Sequence, residues 1–204
     1  MSSVVALDRL LDTRRVWRGQ PAVAAPSRQP TGFAALDQVL PGGGWPEAAL
    51  SEILFAAPGM GELGLLWPTL ARLTAQQQQR VVLVDPPHIP YPPAWLQAGI
   101  DLRQLTVIRA GDQQALWATE QCLRSGSCGA VLCWLQEAPD RVLRRIQVAA
   151  QNGATPAFAY RPLPAAGQPS PAALRLALEG QPPRANVFKC RGGRVPSRPI
   201  ALDL

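Results

Sequence analysis

The sequence predicts an α/β fold, a doubly wound and mostly parallel sheet that ends in antiparallel C-terminal edge strands. Three observations predict it. Short continuous apolar runs at residues 80–85 (RVVLVD) and 130–134 (AVLCW) read as strands covered on both faces, as parallel strands are. Stretches with helical spacing separate them, notably residues 113–126 and 140–153. The last third changes character: residues 173–179 (ALRLALE) alternate, and segments 186–190 and 200–204 flank an R-G-G-R turn, the pattern of a hairpin.

Composition bounds the rest. At 204 residues with 47% hydrophobic content, the chain is long enough for one well-packed core domain. No apolar run approaches membrane-spanning length, and the charged N-terminus lacks the apolar centre of a signal peptide, so the expected location is the cytoplasm with no membrane partner. Cys122, Cys128, Cys133 and Cys190 show no C-x-x-C spacing and His88 is the sole histidine, which argues against zinc; no metal is expected. Cys122 and Cys133 fall on apolar positions and read as structural. The net charge of +6 rests on 19 arginines and one lysine and suits nucleic acid or an acidic protein.

Residues 1–30 read as an appendage. Val4, Leu7, Leu10, Leu11 and Trp17 sit at helical spacing with Arg14, Arg15 and Arg18 close by, and a Pro/Gly-containing linker, 19–30, follows. Residues 31–204 form the core domain. It opens with a short helix bearing Phe33, Leu36 and Val39, ended by Pro41 and a Gly42-Gly43-Gly44 turn.

The organising stretch is 50–66 (LSEILFAAPGMGELGLL): a buried strand, a tight turn at 58–61, and a helix opening at Glu62. That order is the layout of a phosphate-binding loop, G-x-x-x-x-G-K-[ST]. Ala56 takes the first glycine, Gly59 lies inside the loop, Gly61 takes the second glycine, Glu62 the lysine and Leu63 the Ser/Thr. The lysine of a working loop reaches the β/γ-phosphates and the hydroxyl ligates magnesium. Glu62 offers the opposite charge, at a cost on the order of 4 kcal/mol per unit repulsion at about 4 Å and an effective dielectric of about 20. Leu63 has no oxygen for a metal. The loop is degenerate, and no cofactor is expected.

Further elements follow in order: a helix through residue 79 that Pro68 should kink, a helix over 91–99, a strand at 105–108, a helix at 113–126, a helix at 140–153, a strand at 154–160, and a Pro-rich loop at 162–171. With T-G-F-x-x-L-D…P-G-G-G-W-P (31–46) ahead of the loop, residues 31–204 resemble the RecA-like recombinase core. In that family a glutamate two residues past the second strand's aspartate activates water, and an aspartate ending the 130–134 strand holds magnesium. Pro87 and Trp134-Leu135-Gln136 stand there. Three catalytic positions are lost, so the chain reads as a pseudo-ATPase and not an enzyme.

Two RecA-like families share a ruined nucleotide site: ImuA, the accessory protein of damage-inducible mutagenesis, and SulA, the division inhibitor that blocks FtsZ assembly. The entry motif, the Val16-Trp17-Arg18-Gly19 segment and the basic R-G-G-R tail resemble ImuA. That resemblance implies a non-catalytic adaptor in error-prone translesion synthesis within the SOS response. Its implied partners are an ImuB-like polymerase-related protein, an error-prone DNA polymerase, RecA, and DNA through weak, sequence-independent contacts. The alternatives are a SulA-like division inhibitor and a RecA-type DNA-dependent ATPase.

Two basic clusters are candidate contacts for nucleic acid or a partner. Arg141, Arg144 and Arg145 share one side of the 140–153 helix, and Lys189, Arg191, Arg194 and Arg198 crowd the C-terminal turn. No aromatic residue interleaves the second cluster between Arg191 and Arg198, which argues against base stacking.

Overall fold

The computed structural model describes residue 27, residues 29–57 and residues 61–203. The expected N-terminal helix, most of the linker and Gly59 lie outside the described residues.

One eight-stranded sheet runs in the order β3-β2-β4-β5-β1-β6-β7-β8. The strands are β1 (Leu50–Phe55), β2 (Arg80–Val84), β3 (Leu105–Ile108), β4 (Cys128–Trp134), β5 (Ala157–Pro162), β6 (Leu174–Glu179), β7 (Arg184–Cys190) and β8 (Ile200–Ala201). The first six are mutually parallel and β7 is antiparallel to both β6 and β8, so the expected mixed sheet is observed. Beyond the 3₁₀ and π turns, the helices among the described residues are α1 (Ala34–Asp37), α2 (Trp67–Ala71), α3 (Pro92–Gln97), α4 (Asp112–Arg124) and α5 (Asp140–Asn152).

Both faces of the central strands are buried, which is why those segments read as unbroken apolar runs rather than as alternation. Val81 and Leu83 join one core cluster with Leu66, Leu70, Leu73 and Trp95. Val82 and Val84 point the other way, toward Leu123, Leu143 and Ile146 of α4 and α5. The second layer is rich in alanine, and this lets the helices come close. A Cβ on Gly153, at the end of α5, would stand 1.8 Å from the Leu123 carbonyl oxygen of α4. The glycine therefore serves the helix crossing, while the positive φ at this helix end falls on Ala154 (φ 47°).

The entry motif is structural. Thr31 is buried and donates its N–H to Asp37 Oδ1 at 2.8 Å, which ties the ends of the segment together. Gly32 is left-handed (φ 91°), and a Cβ there would lie 2.3 Å from Pro68 Cβ. Trp45 is fully buried, edge-on to Phe158, and donates its indole N–H to Thr69 Oγ1 at 3.0 Å. The segment is a clasp between the chain ahead of β1 and the helix after it.

Two expectations are corrected here. Helical structure after the loop begins with a 3₁₀ turn at Gly64–Leu66, not at Glu62. Pro68 does not kink the helix: it occupies the first turn of α2, where its missing N–H has no partner to lose. The irregularity comes later, as a π turn at Arg72–Gln76. At the C-terminus the expected antiparallel strand pair forms: β8 pairs Ile200 and Ala201 with Ala185 and Arg184, and residues 191–199 connect the two strands.

Candidate functional site

The site to test is the carboxyl end of the parallel strands, the crevice where open α/β sheets place ligands. Here β1 ends at Phe55, followed by exposed Ala56 and Ala57, and the chain returns at Gly61 in a left-handed turn (φ 85°). Glu62 is buried and Leu63 packs against the core.

Side chains fill this end of the sheet. Tyr160 of β5 is buried and its hydroxyl donates to the Glu62 carbonyl at 3.4 Å. Trp134 of β4 stacks on it at 4.8 Å with planes 12° apart, and Phe55 of β1 meets it edge-on at 6.3 Å. Burial, and after it the Glu62 charge, pushes the Tyr160 phenol well above its ordinary value. The chain thus places three aromatic rings and a carboxylate at the ends of β1, β4 and β5. Phosphate would meet negative charge, and a magnesium ion would meet an indole where it needs oxygen ligands. Among the described residues this donor set does not fit a nucleotide or its metal, and no cluster of three or more metal-ligating side chains forms. Pro87 is exposed and lines a groove of about 710 Å³ with Asp85, Arg109, Trp134 and Glu137, where Asp85 Oδ1 accepts the Ala110 N–H at 2.9 Å.

The basic candidates are placed as follows. On α5, Arg144 pairs with Asp140 at 2.6 Å and Arg145 with Glu120 of α4 at 2.6 Å, while Arg141 is exposed. In the C-terminal segment Lys189 Nζ donates to the Ser170 carbonyl and Arg191 Nη2 to that of Pro171, both at 2.7 Å. Burial, then the nearby Arg191 and Arg175 charges, lowers the Lys189 pKa. Gly193 sits where a Cβ would be 2.6 Å from Pro41 Cγ, so the R-G-G-R segment packs against the domain. Arg194 and Arg198 are exposed. The structure therefore does not bring the seven cations into one free cluster: four of them are engaged.

Sequence reasoning missed a buried charge triad. Glu52, fully buried in the middle of β1, accepts from Arg161 Nη1 of β5 at 3.1 Å and from Arg175 Nε of β6 at 2.5 Å. Arg161 also donates to the Ala138 carbonyl and to Gln168 Oε1, and Arg175 to the carbonyls of Ala165, Ala166 and Gln168. The triad thereby clamps the Pro-rich loop, a 3₁₀ turn at Leu163–Gly167, onto the sheet. The available signal was one acidic and two basic residues inside otherwise apolar strands, which in a folded core must meet.

Fold and site together define a mixed α/β protein with a mostly parallel eight-stranded sheet, in which aromatic rings gather at the carboxyl ends of β1, β4 and β5. The family model described as cell division inhibitor SulA matches residues 48–157, from just ahead of β1 to the first residue of β5, and the chain belongs to that family. The crystal structure of SulA from Pseudomonas aeruginosa is 26% identical in a match covering 57% of this chain and 99% of that one, with a TM-score of 0.47. No curated protein matches the chain.

The family match overturns the ImuA reading and, with it, the role of adaptor in translesion synthesis. The physical reason is visible in the motifs that favoured it. The 31–46 segment and R-G-G-R are held by packing at Gly32, Trp45 and Gly193, so they report how the domain closes rather than which pathway it serves. The ImuB-like and polymerase partners rested on that resemblance alone.

Proposed function

We propose that this chain is a non-catalytic inhibitor of cell division that works by binding, in the cytoplasm and as part of the SOS response. The observation that carries this is the SulA family match over residues 48–157, which spans the core strands β1 to β4 and helices α2 to α5. The filled carboxyl end of the sheet supports the non-catalytic half of the reading, because Glu62, Leu63 and Trp134 stand where a nucleotide site needs a cation, a hydroxyl and a carboxylate. A RecA-like origin of the fold belongs to the same reading. It is supported by strand β1 followed by the left-handed Gly61 and the helical turn at Gly64–Leu66, and by helices on both faces of a mostly parallel sheet.

FtsZ, the target that the SulA resemblance implies, is the proposed partner. Exposed apolar side chains support a binding role: Ile89 is 83% exposed, Tyr91 69% and Leu96 58%, all within eight residues between β2 and the end of α3. Solvent-facing apolar groups gathered in one segment suit a protein contact.

The experiment is induced expression in growing bacteria that lack the mutagenic polymerase. Filamentation without DNA damage is expected. Cells of normal length that contain folded protein would overturn the reading.

A further inference from the structure

Helices α4 and α5 lie side by side on the face of the sheet opposite to the one that buries Trp95 of α3. Arg145 of α5 pairs with Glu120 of α4 at 2.6 Å, so the sides of the helices bearing these residues adjoin. Helical spacing then sets Trp117, Glu120 and Arg124 along one edge of a shared surface and Arg141, Arg145 and Val148 along the other. Trp45, Trp67, Trp95 and Trp134 all pack into the core, whereas Trp117 is 62% exposed.

The exposed side chains described on these two helices are Trp117, Val148, four arginines and four amides. Their two carboxylates are both taken, Asp140 by Arg144 and Glu120 by Arg145. Arg124 and Arg141 form no ion pair among the described residues and keep their charge. Buried Glu120 holds Nε and Nη2 of Arg145, which fixes that guanidinium while its Nη1 has no hydrogen bond to a described residue. Two exposed apolar side chains are too few for the desolvated centre of a protein interface. Guanidinium and amide donors around one flat ring suit phosphates and a base instead. Stacking on an exposed indole needs an unpaired base, which selects single strands over duplex.

We propose that the α4–α5 surface binds single-stranded nucleic acid, with Trp117 stacking on a base and Arg124, Arg141 and Arg145 on the phosphates. The contact is independent of the division partner. Helix α3, which closes the apolar segment assigned to that partner, packs on the other face of the sheet, so both can be occupied together.

The test is fluorescence anisotropy of labelled oligo-dT and oligo-U with the full chain over a range of salt, with circular dichroism to check the fold of each variant. Binding is expected with a dissociation constant of about 1–100 µM, and the tighter strand identifies the sugar. Trp117→Ala should weaken it at least about 5-fold, and Trp117→Phe, which keeps an aromatic face, should weaken it less. Arg124→Ala with Arg141→Ala should flatten the log–log salt slope by about 1.4. Arg194→Ala with Arg198→Ala removes the same charge elsewhere and should leave the slope unchanged. Ultraviolet cross-linking of the unmodified chain to oligo-dT should map to the peptide 110–124, a readout that needs no variant to fold. No binding at low salt, a cross-link confined to other peptides, unchanged affinity in Trp117→Ala, or equal flattening by the two arginine pairs would each overturn the proposal. Polyglutamate bound as tightly as either strand would overturn it too, and would make the surface a contact for an acidic protein.

Discussion

Glu52 of β1 and Arg175 of β6 are register partners across the sheet, joined Oε2 to Nε at 2.5 Å in a fully buried position. Two strands distant in sequence thus meet through a charge as well as through their backbones. Arg161 completes the arrangement from the other side of β1, at 3.1 Å. Removing the shared carboxylate would leave two guanidinium groups buried together. We expect Glu52→Ala to lose about 3–5 kcal/mol of stability in urea unfolding, since breaking a buried pair strands its partner. The triple change Glu52→Leu, Arg161→Met, Arg175→Met should cost less than Glu52→Ala, because apolar replacement removes the charges together. A single variant that unfolds at the same urea concentration as the parent would show the triad to be neutral.

The end of α5 gives two opposite expectations from adjacent residues. Gly153→Ala places a methyl 1.8 Å from the Leu123 carbonyl oxygen, so the helix crossing must open, at a cost of about 1–3 kcal/mol. Ala154 holds a left-handed backbone (φ 47°), a conformation that is strained for a residue with a Cβ. Ala154→Gly relieves that strain against a larger loss of chain entropy, and the net gain should be up to about 1 kcal/mol. Thermal unfolding of the two variants should move in opposite directions. If both fall, the account of this helix end fails.

Calorimetry with ATP and magnesium should detect no binding. Glu62→Lys with Leu63→Thr restores the lysine and hydroxyl of a phosphate loop, yet Tyr160, Trp134 and Phe55 still occupy the ends of the strands. The double variant should therefore hydrolyse no radiolabelled ATP, with or without single-stranded DNA. A micromolar dissociation constant for the parent chain would contradict this.

The apolar segment after β2 allows inhibition to be separated from folding. Ile89→Asp with Tyr91→Ala alters two exposed side chains, so stability should stay within about 0.5 kcal/mol of the parent. Filamentation on expression should nevertheless be lost or strongly reduced. Undiminished filamentation would move the contact to another face, such as the one bearing Trp117, which is 62% exposed on α4.

Local signals were enough to place most of the elements. Apolar runs at 80–85 and 130–134, helical spacing at 113–126 and 140–153, and alternation at 173–179 each depend on neighbours a few residues apart, and an element of the expected type forms within each, its ends differing by a residue or two. The identities of Glu62 and Leu63 were equally legible, and their residue types alone set the expectation that nucleotide does not bind. Only the tertiary structure decided what the polar and special residues do. Glu52, Arg161 and Arg175 are 109 and 123 residues apart in sequence where they pair, and no short-range pattern connects them. Arg144, Arg145, Lys189 and Arg191 read as a field of free cations until partners arrive from the same helix, a neighbouring helix and a distant loop. Gly32 and Gly193 read as motif letters until Pro68 and Pro41 are found against them. A charge or a glycine takes its meaning from what stands a few ångströms away in space, and those neighbours come from remote parts of the chain.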